Sequence, residues 1–255
     1  MNILYTKNQE KSIAYNKFVT TNEKDTYIIF HHGLMSNMKG KKSMYIENYC
    51  KKQNYNFIRF DNFGHGESSG KLTEQNISSW VEGLDIVIDN LTGDAKVILI
   101  GSSMGGWVTM LNAIKRDYSK KIMGLIGLSP ALDFTKELVW DKLTKSQQNT
   151  LKEQKICELK STNPECAELY PISYDLITNG KEHLLLQGTI KITCPVHLIH
   201  GMQDIDVPHT ISERTMEKIT SNKAVLKLIK DADHRLSREE DFHIICSSIE
   251  EIISN

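Results

Sequence analysis

The stretch Val97-Ile-Leu-Ile-Gly-Ser-Ser-Met-Gly-Gly-Trp107 constrains this chain more than any other. Its opening residues are β-branched or leucine and would be apolar on both faces of a strand, as a strand in the middle of a parallel sheet requires. The strand stops at Gly101, after which Trp107, Val108, Met110, Leu111 and Ile114 recur at helical spacing. Strand, sharp turn and helix are therefore compressed around Ser103. Gly101 and Gly105, two residues to either side, let the backbone close around a strained central residue. The G-x-S-x-G spacing thus predicts a serine Oγ held at the tip of a sheet, with a helix N-terminus directed at it. That is the placement of a nucleophile. A glycine-rich turn without chemistry would share the pattern, so the reading depends on what the rest of the chain supplies.

Period-2 and period-3.6 segments alternate on both sides of this turn. Residues 12–19 read as a half-exposed antiparallel strand, 21–25 as a turn, 26–33 and 55–61 as inner strands, and 41–53 and 77–91 as helices. A strand over 122–128 follows the serine helix. Strands at 194–201 and 224–230 and helices at 211–219 and 241–253 complete the series. Such alternation means an α/β fold, a mostly parallel sheet with helices on both faces. At 255 residues the chain fits one domain, residues 1–255. Between 131 and 193 the alternation lapses, while Leu138, Trp140, Leu184, Leu185 and Leu186 keep the stretch too apolar for a linker. A small helical cap is expected there, inserted before the acid-bearing strand, over the carboxyl ends of the strands, with those five residues as candidates to line an apolar pocket.

A serine hydroxyl needs a base, and the base an orienting acid. In a strand–serine–helix architecture, both follow the serine, on loops after later strands. Of the nine histidines, His31, His32 and His65 precede the serine, and His197 and His200 fall within a strand. His183 belongs to the cap, His209 to a helix start, and His243 to the last helix; only His234 sits on a loop after the terminal strand. Asp204 and Asp206 both occupy the preceding loop and are both candidate acids. Asp233 reads as structural. Two backbone N–H groups must bind the oxyanion: Met104, which follows the serine, and Leu34, on the loop His32-Gly33-Leu34. The turn over residues 62–70 is glycine-rich but lacks the lysine of a phosphate-binding loop, and it reads as structure packed near the nucleophile.

Charge excludes further classes. A net charge of −1 gives no case for nucleic acid or an anionic membrane surface, and Lys39, Lys41 and Lys42 read as a solvated helix start. No apolar run approaches the roughly 18 residues of a membrane span, so no stable membrane insertion is expected. Five widely spaced cysteines, without C-x-x-C, suit neither a metal site nor a disulfide framework. With no signal peptide or mitochondrial presequence at the N-terminus, a cytoplasmic location is expected.

The set G-x-S-x-G, His200-Gly-Met-Gln-Asp204-Ile-Asp-Val-Pro208 and Asp233-His-Arg235 resembles the α/β-hydrolase superfamily, of serine esterase or thioesterase type. In the family's H-G-x-x-D-x-x-V-P pattern the acid falls on Asp204. The strand end Arg59-Phe-Asp61, the serine turn and the segment Cys194-Pro through Met202 are similar to the mitochondrial abhydrolases with palmitoyl-protein thioesterase and acyl-glucuronide esterase activity. His32-Gly33 stands where that group has Pro-Gly. The resemblance implies a Ser103–Asp204–His234 triad with the Leu34 and Met104 amides as oxyanion hole. It also implies no metal or organic cofactor, an acyl-enzyme route, and a small-molecule or acylated-protein substrate. A non-catalytic ligand-binding protein of the same fold, or a serine peptidase, is the alternative.

Overall fold

The computed structural model of the chain describes residues 1–20, 26–115, 121–160 and 169–254. The turn expected at 21–25 and one of the cysteines, Cys166, lie outside the described residues. The strands β1 (Asn2–Tyr5), β2 (Ser12–Phe18), β3 (Thr26–His31) and β4 (Asn56–Phe60) come first, with helix α1 (Lys41–Gln53) before β4. Then follow α2 (Ile77–Leu91), β5 (Lys96–Ser102), α3 (Met104–Lys115) and β6 (Ile122–Leu128). The next segment holds α4 (Lys145–Gln154), β7 (Ile156–Lys160), β8 (Leu169–Ser173) and α5 (Tyr174–Lys181). After it come β9 (Val196–Gly201), α6 (Thr210–Lys218), β10 (Ala224–Ile229) and α7 (Glu239–Ile253).

Eight strands form one sheet in the order β1-β2-β4-β3-β5-β6-β9-β10. Only β1 and β2 run antiparallel to their neighbours; from β4 to β10 the sheet is parallel. Along β5 the side chains alternate between two cores, which is why the strand reads as continuously apolar. Val97 and Leu99 face the core shared with α2 and α3, while Ile98 and Ile100 face the core built with α1 and α7. All four are fully buried. The β1 strand, short and mostly exposed, has no readable period; its pairing with β2 alone makes it a strand.

The segment between β6 and β9 is not purely helical, contrary to expectation. A π turn (Thr135–Val139) and a 3₁₀ turn (Trp140–Lys142) lead into α4. The antiparallel hairpin of β7 and β8 then precedes α5. Strand and helix meet at residues 172–173: Ile172 pairs with Cys157, and Ser173 caps α5, its Oγ accepting from Leu176 N at 3.1 Å. One contact closes the segment on itself and another ties it to the body. Asp133 accepts from the Leu185 and Leu186 amides at 2.8 and 3.0 Å, joining the two ends of the segment, and Arg214 of α6 makes a bidentate pair with Glu137 at 2.7 and 2.8 Å.

Candidate active site

Ser103 stands between β5 and α3 with φ of +54°, in the left-handed region that non-glycine residues enter at a cost of roughly 1–2 kcal/mol. Its own backbone bonds hold it there: the N–H donates to Leu128 O at 2.9 Å, and the carbonyl accepts from Gly106 N at 2.9 Å and Ala131 N at 3.0 Å. The flanking glycines are required by contact. A Cβ on Gly101 would lie 2.3 Å from Gly105 O, and one on Gly105 would lie 2.4 Å from His31 O. Helix, serine strand and neighbouring strand thus meet at backbone distance.

The loop after β3 closes over the serine. A Cβ on Gly33 would lie 3.2 Å from Ser103 Cβ, which brings the Leu34 segment beside the Met104 amide at the start of α3. Among the described residues neither the Leu34 nor the Met104 N–H is taken up by a hydrogen bond. Side chains from β4 and the turn after it pin this loop. Asp61 Oδ1 accepts from Met38 N at 2.6 Å, Arg59 donates to Met38 O at 2.8 Å, and His65 Nε2 accepts from Met35 N at 3.2 Å. Met35 itself has φ of +55°. The glycine-rich turn over 62–70 therefore supports the loop. In the sequence, His65 is legible only as a histidine that comes too early to be the base.

Three buried histidines share one wiring. Nδ1 of His31, His32 and His65 faces the carbonyls of His32, Gly33 and Phe63, at 2.9, 2.8 and 3.1 Å. Their Nε2 atoms accept from Asn62 Nδ2 at 2.8 Å, Asn62 N at 3.1 Å and Met35 N, respectively. Both nitrogens of each ring are satisfied only when the imidazole is neutral. Burial, with the neighbouring histidine charge second for His31 and His65, lowers their pKa values to about 3, about 4 and about 4.

His234 Nδ1 lies 2.7 Å from Asp204 Oδ2. Asp204 Oδ1 accepts from Asp206 N at 3.0 Å and Val207 N at 2.8 Å. Burial alone would raise the Asp204 pKa, but the hydrogen bonds from His200 and His234 outweigh it and hold the carboxyl below the ordinary range. Asp206 also lines the cavity, with a carboxylate oxygen within 4.8 Å of ligand atoms of Asp204 and His234, and Asp233 caps the turn by accepting from Arg235 N and Leu236 N at 3.0 and 3.2 Å. Ser103 and His234 open on the same cavity of about 500 Å³. Ser103 Oγ carries no hydrogen bond among the described residues, an open geometry common before substrate tightens a site.

The cavity wall contains Leu34, Met104, Phe134, Leu138, Val139 and Tyr170. Leu138 is thus at the wall as expected, whereas Trp140 and Leu184–186 are not. Leu186 is buried in the core, Leu185 packs against it, and Trp140 lies at a tilt against Tyr174, ring centroids 6.0 Å apart. Lys42 is not a solvated helix residue either. It lines the cavity and donates to Arg235 O, and burial lowers its pKa to about 8. Among the described residues, one group has ligand spacing for a metal ion: Asp204, Asp206 and His234. Asp204 spends both oxygens on four donors and His234 spends Nδ1 on Asp204, so this group offers an ion little.

A family model described as Hydrolase_4, serine aminopeptidase, S33, matches residues 22–171. The palmitoyl-protein thioesterase ABHD10, mitochondrial, of Rattus norvegicus is 34% identical over 249 residues, covering 95% of this chain and 79% of the relative. Its Homo sapiens counterpart is 33% identical, with 95% and 76% covered. The structure of mouse alpha/beta hydrolase domain-containing protein 10 matches with a TM-score of 0.88 at 30% identity, covering 100% of this chain and 99% of that one. The compartment named in these relatives overturns the cytoplasmic expectation. Unpaired cysteines separate reducing from oxidising surroundings and cannot tell one reducing compartment from another. By sequence, by sheet order and by relatives, the chain belongs to the α/β-hydrolase family and is an ester or thioester hydrolase of it.

Proposed function

We propose that this enzyme hydrolyses esters and thioesters of acyl chains through a Ser103–Asp204–His234 triad and an acyl-enzyme. Ser103 Oγ attacks the acyl carbon as His234 takes its proton, and the tetrahedral oxyanion is bound by the Leu34 and Met104 amides. Collapse expels the alkoxide or thiolate, which takes the proton from His234. Water then repeats the sequence on the acyl-enzyme and releases the carboxylic acid. Asp204 orients the imidazole and stabilises its positive charge. The observation that carries the reading is the 2.7 Å His234–Asp204 pair opening on the cavity that Ser103 also lines.

Residues 131–193 act in this reading as a cap within a single domain, and its apolar wall at Phe134, Leu138 and Val139 receives the acyl chain. The relatives' names support an S-acylated protein as one substrate and a mitochondrial compartment. Each methylene moved from water into such a wall contributes roughly 0.8 kcal/mol, or about fourfold in kcat/KM where the gain is kept in the transition state. A fluorophosphonate should label Ser103, and a series of thioesters from acetyl to hexadecanoyl should rise in kcat/KM with length. No labelling at Ser103, or a preference for acetyl over octanoyl, would overturn the triad or the acyl pocket, respectively.

A further inference from the structure

The carboxylate of Asp204 is held between two histidines. His234 Nδ1 approaches Oδ2 at 2.7 Å from the cavity side, and His200 Nε2 approaches the same oxygen at 3.1 Å from the interior. His200 is fully buried and stands on the penultimate residue of β9, so the sheet rather than a loop presents its ring. Its Nε2 has a second partner, Val207 O, at 2.9 Å. A carboxylate and a carbonyl only accept, so Nε2 carries a hydrogen, which fixes the tautomer. On the opposite edge, Nδ1 faces Ser212 Oγ of α6 at 2.7 Å. A line of contacts therefore runs from α6 through Ser212, His200 and Asp204 to His234 at the cavity.

We infer that His200 is a positioning residue for acyl transfer, a buried donor that fixes the carboxylate oxygen on which His234 depends. The inference rests on the triad reading above and names a residue that reading leaves out. Two amides grip Oδ1 of Asp204, but without His200 only His234 would hold Oδ2. The acid would then follow the imidazole instead of orienting it. A side chain whose task is orientation requires a support that does not move with its partner, and a ring on a parallel strand packed against α6 provides one.

The test exploits reach. In His200→Gln the terminal amide nitrogen falls near the position of Nε2 and can donate to Asp204. In His200→Asn the amide stays near Nδ1, keeps its contact with Ser212, and stops short of Asp204. With 4-nitrophenyl octanoate, kcat should fall roughly 10- to 100-fold in His200→Asn, as for other small misplacements of catalytic groups. KM should stay within about twofold, and His200→Gln should recover most of kcat. Equal losses in the two variants, or none in His200→Asn, would overturn the inference. Should His200→Asn fail to fold, ¹⁵N-histidine spectra of the wild-type enzyme decide: an Nε2–H tautomer at His200 supports the assignment, and an Nδ1–H tautomer overturns it. Fluorophosphonate labelling separates the two readings. If the wild-type serine is labelled and His200→Asn is labelled at the same rate, His200 alone is wrongly assigned. If wild-type Ser103 is never labelled, the triad falls and this role with it.

Discussion

Acidification should weaken this fold well above the range in which its carboxylates titrate, because His31, His32 and His65 are buried neutral. Their folded pKa values of about 3, about 4 and about 4 lie below the 6.5 of a free imidazole. The unfolded chain therefore binds more protons than the folded one between these limits. Their contribution is complete above pH 6.5 and is lost as pH falls through about 4. From pH 7 to pH 5 each ring costs about 2 kcal/mol, so the three together cost about 5–6 kcal/mol, on the scale of a whole domain's stability. The depressed carboxyl of Asp204 acts in a separate window: its contribution is present above its unfolded value near 3.8 and is lost at still lower pH. Urea unfolding at pH 7, 6 and 5 measures the slope. His65→Gln, whose amide oxygen can accept from Met35 N without titrating, should remove about a third of it. Equal stability at pH 7 and pH 5, or an undiminished slope in His65→Gln, would refute the argument.

Asp204→Asn should lower kcat by roughly 10³- to 10⁴-fold through the wrong imidazole tautomer, while Asp206→Asn should leave it within a few-fold; steady-state rates on one ester distinguish them. Gly105→Ala places a methyl 2.4 Å from His31 O and 2.7 Å from His32 O. It should cost about 1–3 kcal/mol, read by thermal melting, together with slower serine labelling as the elbow shifts. Lys42→Met removes the donor to Arg235 O beside His234, so kcat should fall several-fold with little change in Tm. An unchanged kcat would mean that the Lys42 anchor is dispensable beside the one from Lys41 to Ser237 O.

What is legible in the sequence follows the elements whose side chains see only one kind of surroundings. Strand β5, buried on both faces, and helices α1 and α2, with one face each in a core, can be bounded from period alone because neighbouring residues repeat the same choice. The hairpin β7–β8 is written in the sequence too, as Cys157 and Leu159 inward with Glu158 and Lys160 outward. But five residues of alternation cannot compete with the helical periods on either side. The site divides the same way. Ser103 and Asp204 stand at fixed offsets from Gly101, Gly105 and Gly201, so spacing points to them, and His234 is reached by its place on the loop after the last strand. His65 and His200 act through Met35 N and Asp204 Oδ2, partners 30 residues away and on a different loop end, respectively. Elimination by position discards both as bases and in doing so passes over their use as supports. A histidine inside a strand beside a candidate acid is therefore itself a signal. Burying an imidazole without a partner costs enough that a strand histidine such as His200 demands an acceptor, and the carboxylate four residues on is the first group to ask for one.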